Sequence, residues 1–446
     1  MPHSLKDVLP DTARLRDDGH LEVGGCDLVD LAAEHGTPLY VFDEQTFRSR
    51  ARAYRAAYSE PGDRVYYAAK AFTSLATFRM AVEEGLGVDV CTGGELHAAL
   101  AANVPPAELI FHGNNKSDAE LEMAVGSRVG TIAVDSLDEL ERLARVCASA
   151  GLVQRIVLRC TPGVEAHTHE YIQTGQEDTK FGMSIESGAA LEAAKRTKDL
   201  PSVELLGAHA HIGSQIFGPE AFGKLVEIMC EFVADVRSAT GTELHELNLG
   251  GGLGIAYTKE ESPADVGAHA RFTREVLARS AAEHDLTPPA LSVEPGRWIV
   301  GNAMLTVYSV GVVKDLPGIR TYVSVDGGMS DNIRPMLYGA RYSALVANKA
   351  NEASDKVVTV AGSHCESGDV LIRDVALPSS IARGDLLAIP ATGAYGHAMA
   401  SNYNKMPRPP VVRVRDGRSE VIVRRETYED LIRLDLPQPG PPDPRT

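Results

Sequence analysis

Residues 65–90 read VYYAAKAFTSLATFRMAVEEGLGVDV and contain one complete strand–helix–strand unit. The pattern predicts a strand over Val65–Ala71, an amphipathic helix over Ser74–Glu84 and a second strand over Gly87–Val90. Six further strands are predicted at Glu108–Phe111, Gly130–Val134, Arg155–Arg159, Leu205–His211, Glu246–Leu249 and Ala290–Val293. Eight strands that alternate with helices are the number required for a parallel (β/α)8 barrel of the TIM type, which we favour over an open doubly wound sheet.

The residue pattern changes after Arg297, where helical periodicity nearly disappears. Six strand-like segments follow, at Met304–Lys314, Arg320–Val325, Lys356–Ala361, Val370–Val375, Leu386–Pro390 and Pro410–Arg415. We therefore predict an α/β barrel over residues 40–296 and an all-β domain, of the sandwich or barrel kind, over residues 297–435. Residues 1–39 contain strand-like pieces and are expected to join the β domain. The tail over residues 436–446 is rich in proline and glycine and is expected to be disordered.

The composition is that of an ordinary globular protein, with 44% hydrophobic and 24% charged residues in a chain of 446. A formal net charge of −17 argues against nucleic-acid or anionic-membrane binding, because both need clustered positive charge. The N-terminus lacks the apolar core of a signal peptide, and no run of about 18 apolar residues predicts a membrane span. Six scattered cysteines fit a reduced cytoplasmic protein better than a disulfide framework.

Chemically reactive side chains follow the predicted barrel strands at their carboxyl ends. In a (β/α)8 barrel this is the face on which active sites are built. The residues are Lys70, Asp89, His112, Asn114, Asp135, Arg159, His211, Gly250–Gly252 and Glu294–Arg297. Their placement predicts an active site at this end of the barrel.

Lys70 closes the otherwise apolar strand that begins at Val65. Because an unpaired buried ammonium is costly, this lysine either reaches water beyond the strand end or is a desolvated, functional amine. A desolvated lysine amine is the group that forms a Schiff base with a carbonyl cofactor such as pyridoxal phosphate. The run Gly250-Gly251-Gly252 is either a flexible turn or a loop whose backbone N–H groups approach a phosphate.

Glu294 follows the eighth predicted strand. A carboxylate beside a pyridine nitrogen keeps that nitrogen protonated, so the ring accepts electrons from the substrate's α-carbon; the alternative is an ion pair with Arg297. His209 and His211 face the same side of the sixth strand by alternation. Either an imidazole lies against a cofactor ring, with Ser214 donating to its phosphate, or these are hydrogen-bonded core histidines.

The all-β region carries a run in which a cysteine lies beside two acids, residues 364–369. Cys365 in this run is either a proton donor near groups that bind an ammonium or a plain buried cysteine. Arg334 is suited to a bidentate pair with a carboxylate. Tyr395, in a glycine-rich turn, is suited to contact with a phosphate or a substrate.

The segment over residues 165–181 is long and polar and contains Gly175. Loops of this length in a compact domain are usually lids or binding loops. The segment also contains His167 and His169, but a zinc site needs three or four ligands. We therefore predict a lid-like loop here and no metal site.

Six motifs, taken together and in this order, resemble the diaminopimelate decarboxylase family, which belongs to the fold-type III pyridoxal-phosphate enzymes. They are Tyr66–Ala71, His211–Ile216, Gly250–Gly254, Glu294–Arg297, Cys365–Asp369 and Ser401–Asn404. The resemblance implies an α/β barrel that carries the cofactor, a β-sandwich-like second domain and a homodimer. It also implies that each active site is shared, with Cys365 and Glu366 crossing from the partner subunit.

The resemblance also implies roles for individual residues. Lys70 is the Schiff-base lysine, His211 stacks on the cofactor ring, Glu294 pairs with the pyridine nitrogen, and Cys365 is the acid that reprotonates the α-carbon. We assign the cofactor contacts to Lys70, Asp89, His211, Ser214, Gly250, Gly251, Gly252, Glu294, Gly296, Arg297 and Tyr395. We assign the substrate contacts to Arg297, Arg334, Tyr338, Glu366 and Tyr395.

The reaction that the resemblance implies is the pyridoxal-phosphate-dependent decarboxylation of meso-diaminopimelate to L-lysine and CO2, the last step of lysine biosynthesis. The distal end of this substrate carries an amine and a carboxylate, which Glu366 and Arg334 are suited to bind. The first alternative is a decarboxylase of the same fold that acts on ornithine, arginine or carboxynorspermidine. A fold-type III racemase and a non-catalytic cofactor-binding paralogue are further alternatives.

Overall fold

The computed structural model describes residues 5–163 and 179–436. The N-terminal segment forms a small antiparallel sheet of three strands, β1 (Arg14–Leu15), β2 (Leu21–Val23) and β3 (Cys26–Asp27), followed by helix α1 (Leu28–His35). Apolar side chains of β2 and α1 share one buried cluster with Leu305, Val307 and Val412. The segment therefore packs on the β domain described below. Strand β4 (Leu39–Asp43) and helix α2 (Glu44–Ala57) then lead into the barrel.

The barrel is a ring of eight parallel strands. In chain order the strands of this sheet are β5 (Arg64–Ala68), β6 (Gly87–Val90), β7 (Leu109–Phe111), β8 (Thr131–Val134), β9 (Gln154–Thr161), β10 (Met183–Ser184), β11 (Val203–His209), β12 (Glu246–Asn248) and β13 (Ala290–Val293). Strand β13 pairs with β5 and closes the ring, while β10 is a short ninth strand paired with β9. The predicted (β/α)8 barrel is confirmed.

Helices follow the barrel strands in the expected alternation. They are α3 (Leu75–Glu83), α4 (Gly93–Ala101), α5 (Asp118–Gly126), α6 (Leu137–Ala150), α7 (Ala189–Thr197), α8 (Glu220–Thr240), α9 (Val266–Glu283) and the short α10 (Arg297–Val300). Local sequence explains several ends. Ser74 and Ser117 form capping boxes that start α3 and α5, and α6 stops at Gly151, whose backbone is left-handed.

The second domain is built mainly of sheet, as predicted. Its elements are β14 (Met304–Leu316), β15 (Arg320–Val325), α11 (Arg334–Tyr338), β16 (Leu345–Val346), β17 (Lys356–Ala361), β18 (Val370–Leu377), β19 (Leu386–Pro390), β20 (Val411–Arg415), β21 (Arg418–Val423) and α12 (Tyr428–Ile432). The strand order is β18-β17-β15-β14-β4-β20-β21, and β19 pairs with both β14 and β16.

The two domains are joined at β4. This strand pairs with β14 and β20, so the chain runs through the sheet of the β domain before it enters the barrel. The predicted boundary at residue 40 falls inside this strand. Glu44, the next residue and the first of α2, is buried and accepts hydrogen bonds from Arg48 at 2.6 Å and from Arg415 at 2.9 Å. Arg413 of β20 forms an ion pair with the same carboxylate at 3.2 Å.

Several strand ends differ from the sequence prediction, and three of these differences concern predicted site residues. Strand β5 stops at Ala68, and Lys70 lies in a 3-10 turn over Ala69–Ala71. Strand β11 stops at His209, so His211 lies two residues beyond it, and Arg159 lies inside β9 rather than at its end. The predicted lid-like loop, with His167 and His169, and the predicted disordered tail fall almost wholly outside the described residues. Within residues 5–163 and 179–436, no helix is both long enough and apolar enough to cross a membrane.

Candidate active site

A cavity of about 680 Å³ lies at the carboxyl ends of the barrel strands, between the barrel and the β domain. Most of the predicted site residues line it, namely Lys70, Asp89, His211, Ser214, Gly251, Gly252, Glu294, Gly296, Arg297, Arg334, Tyr338 and Tyr395. Gly250 is buried directly behind this wall. Cys365 and Glu366 are absent from the wall.

Lys70 reaches into the cavity from the turn that follows β5. Ala69 and Ala71 on either side of it are fully buried, which fixes the direction of the turn. Burial between the cavity walls acts to lower the pKa of the Lys70 amine. Interaction with the ionisable groups of Tyr395 and Asp89 acts in the opposite direction and leaves this pKa above its usual value.

Glu294 is a buried carboxylate held by three side chains. Oε1 accepts a hydrogen bond from Asn248 Nδ2 at 2.8 Å and lies 2.7 Å from His112 Nε2, while Oε2 lies 3.1 Å from His209 Nε2. Burial acts to raise the pKa of Glu294, but the two histidines outweigh it and hold the pKa well below its usual range. Burial lowers the pKa of His209 to about 4, so its ring is neutral at pH 7. Glu294 therefore stays ionised without an arginine partner.

The glycine run after β12 is required by packing. Gly250 has φ +64° and Gly252 has φ +130°, both in the left-handed region. A Cβ on Gly250 would lie 2.8 Å from His211 Nδ1, and a Cβ on Gly251 would lie 2.3 Å from the backbone oxygen of Glu294. The loop thus lies tightly against its neighbours and presents the backbone of Gly251 and Gly252 to the cavity. Burial also lowers the pKa of His211 well below its usual value, which keeps that ring neutral.

Arg297 begins α10 directly after Gly296. Its Nε and Nη2 donate to Ser214 Oγ, each at 3.1 Å, and its Nη1 donates to the hydroxyl of Tyr257. The guanidinium carbon lies 4.9 Å from the centre of the Tyr395 ring. A hydroxyl and a cation therefore stand together on the cavity wall, which also includes the glycine loop.

Arg334 enters the cavity from the β domain, at the first position of α11. It is 6% exposed, and its Nη1 donates to the hydroxyl of Tyr342. Its guanidinium carbon lies 4.7 Å from the ring centre of Tyr257. Arg334 and Arg297 thus pack on the same tyrosine ring.

Cys365 and Glu366 lie on an exposed turn between β17 and β18. Asp369 fixes this turn, since its Oδ2 accepts from the backbone N–H of His364 at 2.8 Å and lies 2.9 Å from His364 Nδ1. Its Oδ1 accepts from the backbone N–H of Met329 at 2.7 Å. The structure therefore does not bring Cys365 or Glu366 to the Lys70 cavity of the same chain.

Several residues on or behind the cavity wall have no role assigned from the sequence. Position near a strand end is the only sequence signal for Arg159 and Asp135; their side chains pair at 3.8 Å, and the Arg159 guanidinium carbon lies 4.4 Å from the ring centre of Phe181. A fully buried ion pair between Lys116 and Glu139, at 2.7 Å, lies behind them. The position of His112 near a strand end is likewise its only sequence signal. Asn248, Tyr257 and Tyr342 have no distinctive sequence signal.

The groups on the cavity wall fit pyridoxal phosphate in three respects. Lys70 supplies an amine for an aldehyde, and Glu294 supplies a carboxylate that stays ionised beside a protonated ring nitrogen. Ser214 and the backbone of the glycine loop supply hydrogen-bond donors for a phosphate, and Arg297 lies beside Ser214. The groups on the wall therefore match the aldehyde, the ring nitrogen and the phosphate of this cofactor.

Comparison with known proteins agrees with this chemistry. Residues 44–301 match the family described as pyridoxal-dependent decarboxylase, pyridoxal binding domain. The chain is 48% identical over 428 residues to diaminopimelate decarboxylase of Halalkalibacterium halodurans, covering 96% of this chain and 97% of that protein. It is 47% identical over 428 residues to the Bacillus subtilis diaminopimelate decarboxylase, with the same two coverages. A crystal structure of M. jannaschii diaminopimelate decarboxylase with L-lysine has a TM-score of 0.90 at 35% identity, covering 96% of this chain and 98% of that chain.

A (β/α)8 barrel whose mouth holds a lysine and an ionised carboxylate, joined to a β domain, defines a pyridoxal-phosphate-dependent decarboxylase of the barrel type. Within this class, the chain is 47–48% identical to diaminopimelate decarboxylases over nearly its full length. The chain belongs to the diaminopimelate decarboxylase family.

Proposed function

We propose that the protein decarboxylates meso-diaminopimelate to L-lysine and CO2, the last step of lysine biosynthesis, with pyridoxal phosphate as cofactor. One observation carries the proposal: a single cavity holds Lys70, the ionised Glu294 and two buried guanidinium groups, those of Arg297 and Arg334. The names of the H. halodurans and B. subtilis relatives support the same substrate. The L-lysine in the M. jannaschii structure is the product that this reaction forms.

Pyridoxal phosphate, when bound, supplies a sink for the electron pair that remains at the α-carbon after CO2 departs. Lys70 would hold the cofactor through its amine. Glu294 remains ionised at neutral pH and would keep a proton on the ring nitrogen, which strengthens the sink. His211 is neutral because it is buried, so it adds no charge beside the ring. Ser214 and the glycine loop would hold the phosphate.

The substrate side of the cavity is formed largely by the β domain. Arg334 would bind the distal carboxylate of diaminopimelate, since a guanidinium matches a carboxylate in a bidentate manner. Tyr338 and Tyr395 line the same cavity and would contact the substrate there. Ornithine and arginine have no distal carboxylate, so they would leave Arg334 without a counterion.

The position of Cys365 and Glu366 supports a homodimer with shared active sites. Both residues are exposed and lie away from the Lys70 cavity of their own chain. We infer that they complete the cavity of a second copy, where Glu366 binds the distal ammonium and Cys365 returns a proton to the α-carbon. A rigid turn, held by Asp369, suits this use because the proton donor must be placed accurately.

We also place the protein in the cytoplasm. All six cysteines are free thiols: Cys26, Cys91, Cys147, Cys160, Cys230 and Cys365. Free thiols persist where the compartment is reducing, and a functional Cys365 needs that condition.

The experiment that tests the proposed function is CO2 release by the cofactor-loaded protein from meso-diaminopimelate, L-ornithine, L-arginine and L-lysine in parallel. We expect release from diaminopimelate alone, with L-lysine as the product. Arg334→Ala should raise the KM for diaminopimelate by about a hundredfold, because a charged hydrogen-bond partner is lost. Arg320→Ala, in β15 of the same domain, is the matched control. Release mainly from a basic amino acid would refute the substrate assignment and leave the fold and cofactor unchanged.

A further inference from the structure

Two buried cations share the cavity without a carboxylate partner. Arg297 and Arg334 are each 6% exposed, and within residues 5–163 and 179–436 neither forms an ion pair with an acid. The hydrogen bonds found for these guanidinium groups go to hydroxyl groups instead, from Arg297 to Ser214 and Tyr257 and from Arg334 to Tyr342. Burying a cation without a counterion costs several kcal/mol, and a bound anion would offset this cost.

Tyr257 and Tyr342 form a compact pair of rings around these cations, which we call the tyrosine pair. The ring centres lie 5.3 Å apart with an interplanar angle of 85°. Both guanidinium carbons pack on Tyr257, at 4.7 Å for Arg334 and 5.7 Å for Arg297, and Arg334 also lies 5.6 Å from the ring centre of Tyr342. The two arginines therefore contact the same ring, although one follows barrel strand β13 and the other belongs to the β domain.

The tyrosine pair fixes both arginines without neutralising them. Burial raises the pKa of Tyr342 to about 12, so its hydroxyl is a neutral acceptor at physiological pH. A carboxylate in the same place would satisfy the guanidinium N–H groups equally well, but it would also cancel the positive charge. Aromatic faces and a phenol oxygen stabilise the cation and leave its charge available.

We propose that Tyr257 and Tyr342 are positioning residues that hold Arg297 and Arg334 side by side as a clamp for the carboxylate at the remote end of the substrate. The tyrosine pair would thereby help to select amino acids that carry a second carboxylate. This role rests on the proposed function, since it concerns recognition of the same substrate. It adds two residues, one of which, Tyr342, does not itself line the cavity.

Replacing either tyrosine by phenylalanine tests the contribution of its hydroxyl separately from that of its ring. Tyr342→Phe keeps the aromatic face but leaves an Arg334 N–H group without its acceptor, and Tyr257→Phe does the same for Arg297. We expect each variant to raise the KM for diaminopimelate by about tenfold while kcat stays within about twofold, the loss expected for one hydrogen bond to a charged group. Tyr54→Phe is the matched control, because Tyr54 is a buried tyrosine of the cavity wall that packs on Trp298.

Binding of substrate analogues provides a readout that does not depend on catalysis. Pimelate has two carboxylates and hexanoate has one, and neither has an amine that reacts with the cofactor. In calorimetric titrations of the cofactor-loaded, full-length protein, we expect the wild type to prefer pimelate. Each tyrosine variant should reduce that preference about tenfold, and the Tyr54→Phe control should retain it.

The possible outcomes are distinct. Tyrosine variants with unchanged KM and unchanged preference for pimelate would overturn the role, even if their melting temperatures fall. A fall in kcat at constant KM would also overturn it, because the tyrosines would then act in the chemistry. If Tyr257→Phe does not fold, Tyr342→Phe alone decides between these outcomes. A wild-type protein that neither releases CO2 from diaminopimelate nor binds pimelate would overturn the proposed function itself, and the clamp with it.

Discussion

The barrel half of the candidate site converges within one chain, whereas the β-domain turn that carries Cys365 and Glu366 faces outward. In the barrel, Lys70, His211 and Glu294 follow different strands yet line one cavity. In the β domain, Cys365 and Glu366 are exposed on the turn between β17 and β18. On the proposed function, the chain builds its cofactor site alone and would depend on a second copy for its proton donor.

The barrel and the β domain also differ in the pKa of a buried acid. Glu294 in the barrel has its pKa held well below the usual range by His112 and His209, against the effect of burial. Asp331 in the β domain has its pKa raised by burial to about 7, and its partners are the hydroxyl of Tyr308 and a backbone N–H. Glu294 is therefore ionised at neutral pH, whereas Asp331 is about half protonated there.

The largest loss of activity is expected from a change at Lys70, in the barrel part of the site. Lys70→Ala should abolish covalent attachment of the cofactor and lower activity by about a thousandfold or more, because it removes the amine that holds the cofactor. Mass spectrometry after borohydride reduction measures the attachment. Lys224→Ala, an exposed lysine of α8, should retain it. A cofactor still fixed to the Lys70→Ala protein would remove Lys70 from its assigned role.

A smaller loss is expected when the charge of Glu294 is removed with little change of shape. Glu294→Gln should lower kcat by about a hundredfold, since a neutral amide stabilises a protonated ring nitrogen far less than a carboxylate does. The folded-state pKa of Glu294 is depressed, so the wild-type carboxylate should not titrate between pH 6 and 9. Steady-state kinetics over that range measure both expectations. An unchanged kcat in the variant would show that the charge is not used.

Mixing two inactive proteins tests the comparison directly. Lys70→Ala and Cys365→Ala should each be nearly inactive, but a mixed dimer would contain one intact shared site. With random exchange of subunits, the mixture should recover about a quarter of the wild-type activity. Mixing Lys70→Ala with Glu294→Gln is the control, because both changes lie in the barrel half. Recovery that is equal in the two mixtures, or absent from both, would argue against a site shared between subunits.

The smallest effect is expected at Asp331, whose buried carboxyl group in the folded protein retains its proton up to about pH 7. The folded-state pKa lies above the unfolded value, so the folded state retains a proton that the unfolded state has lost, and the wild type loses stability as the pH rises from about 4 to about 7. Asp331→Asn cannot ionise. Relative to wild type, its free energy of unfolding should increase by about 2 kcal/mol between pH 5 and pH 7. Urea unfolding at the two pH values measures this, and a constant difference would contradict it.

The barrel is predictable from the sequence because its signal is local. Each strand is a short apolar run, each helix has an amphipathic period, and the carboxyl end of every strand lies on the same face. That single rule is enough to assign Lys70, Asp89, His211 and Glu294 to one cavity, and all four line it. The same rule marks Arg159, although strand β9 extends two residues beyond it.

The parts that the sequence did not predict depend on contacts between distant loops. Tyr257 lies in the loop after β12, and Tyr342 lies between α11 and β16. Neither belongs to a periodic pattern, and their association is created by the packing of one domain on the other. The contact between Glu294 and His209 could not be predicted either, because 85 residues separate the two in the sequence.

The ion pairs of Glu44 couple the unfolding of the two domains. Its buried carboxylate belongs to the barrel side, but two of its three arginine partners, Arg413 and Arg415, lie near the end of the chain. Loss of these two partners would leave the buried carboxylate with Arg48 alone, so melting of either domain should weaken the other. Calorimetry should accordingly record one cooperative transition. A fragment cut to residues 44–301, which match the pyridoxal-binding family, would be a poor module for transplantation.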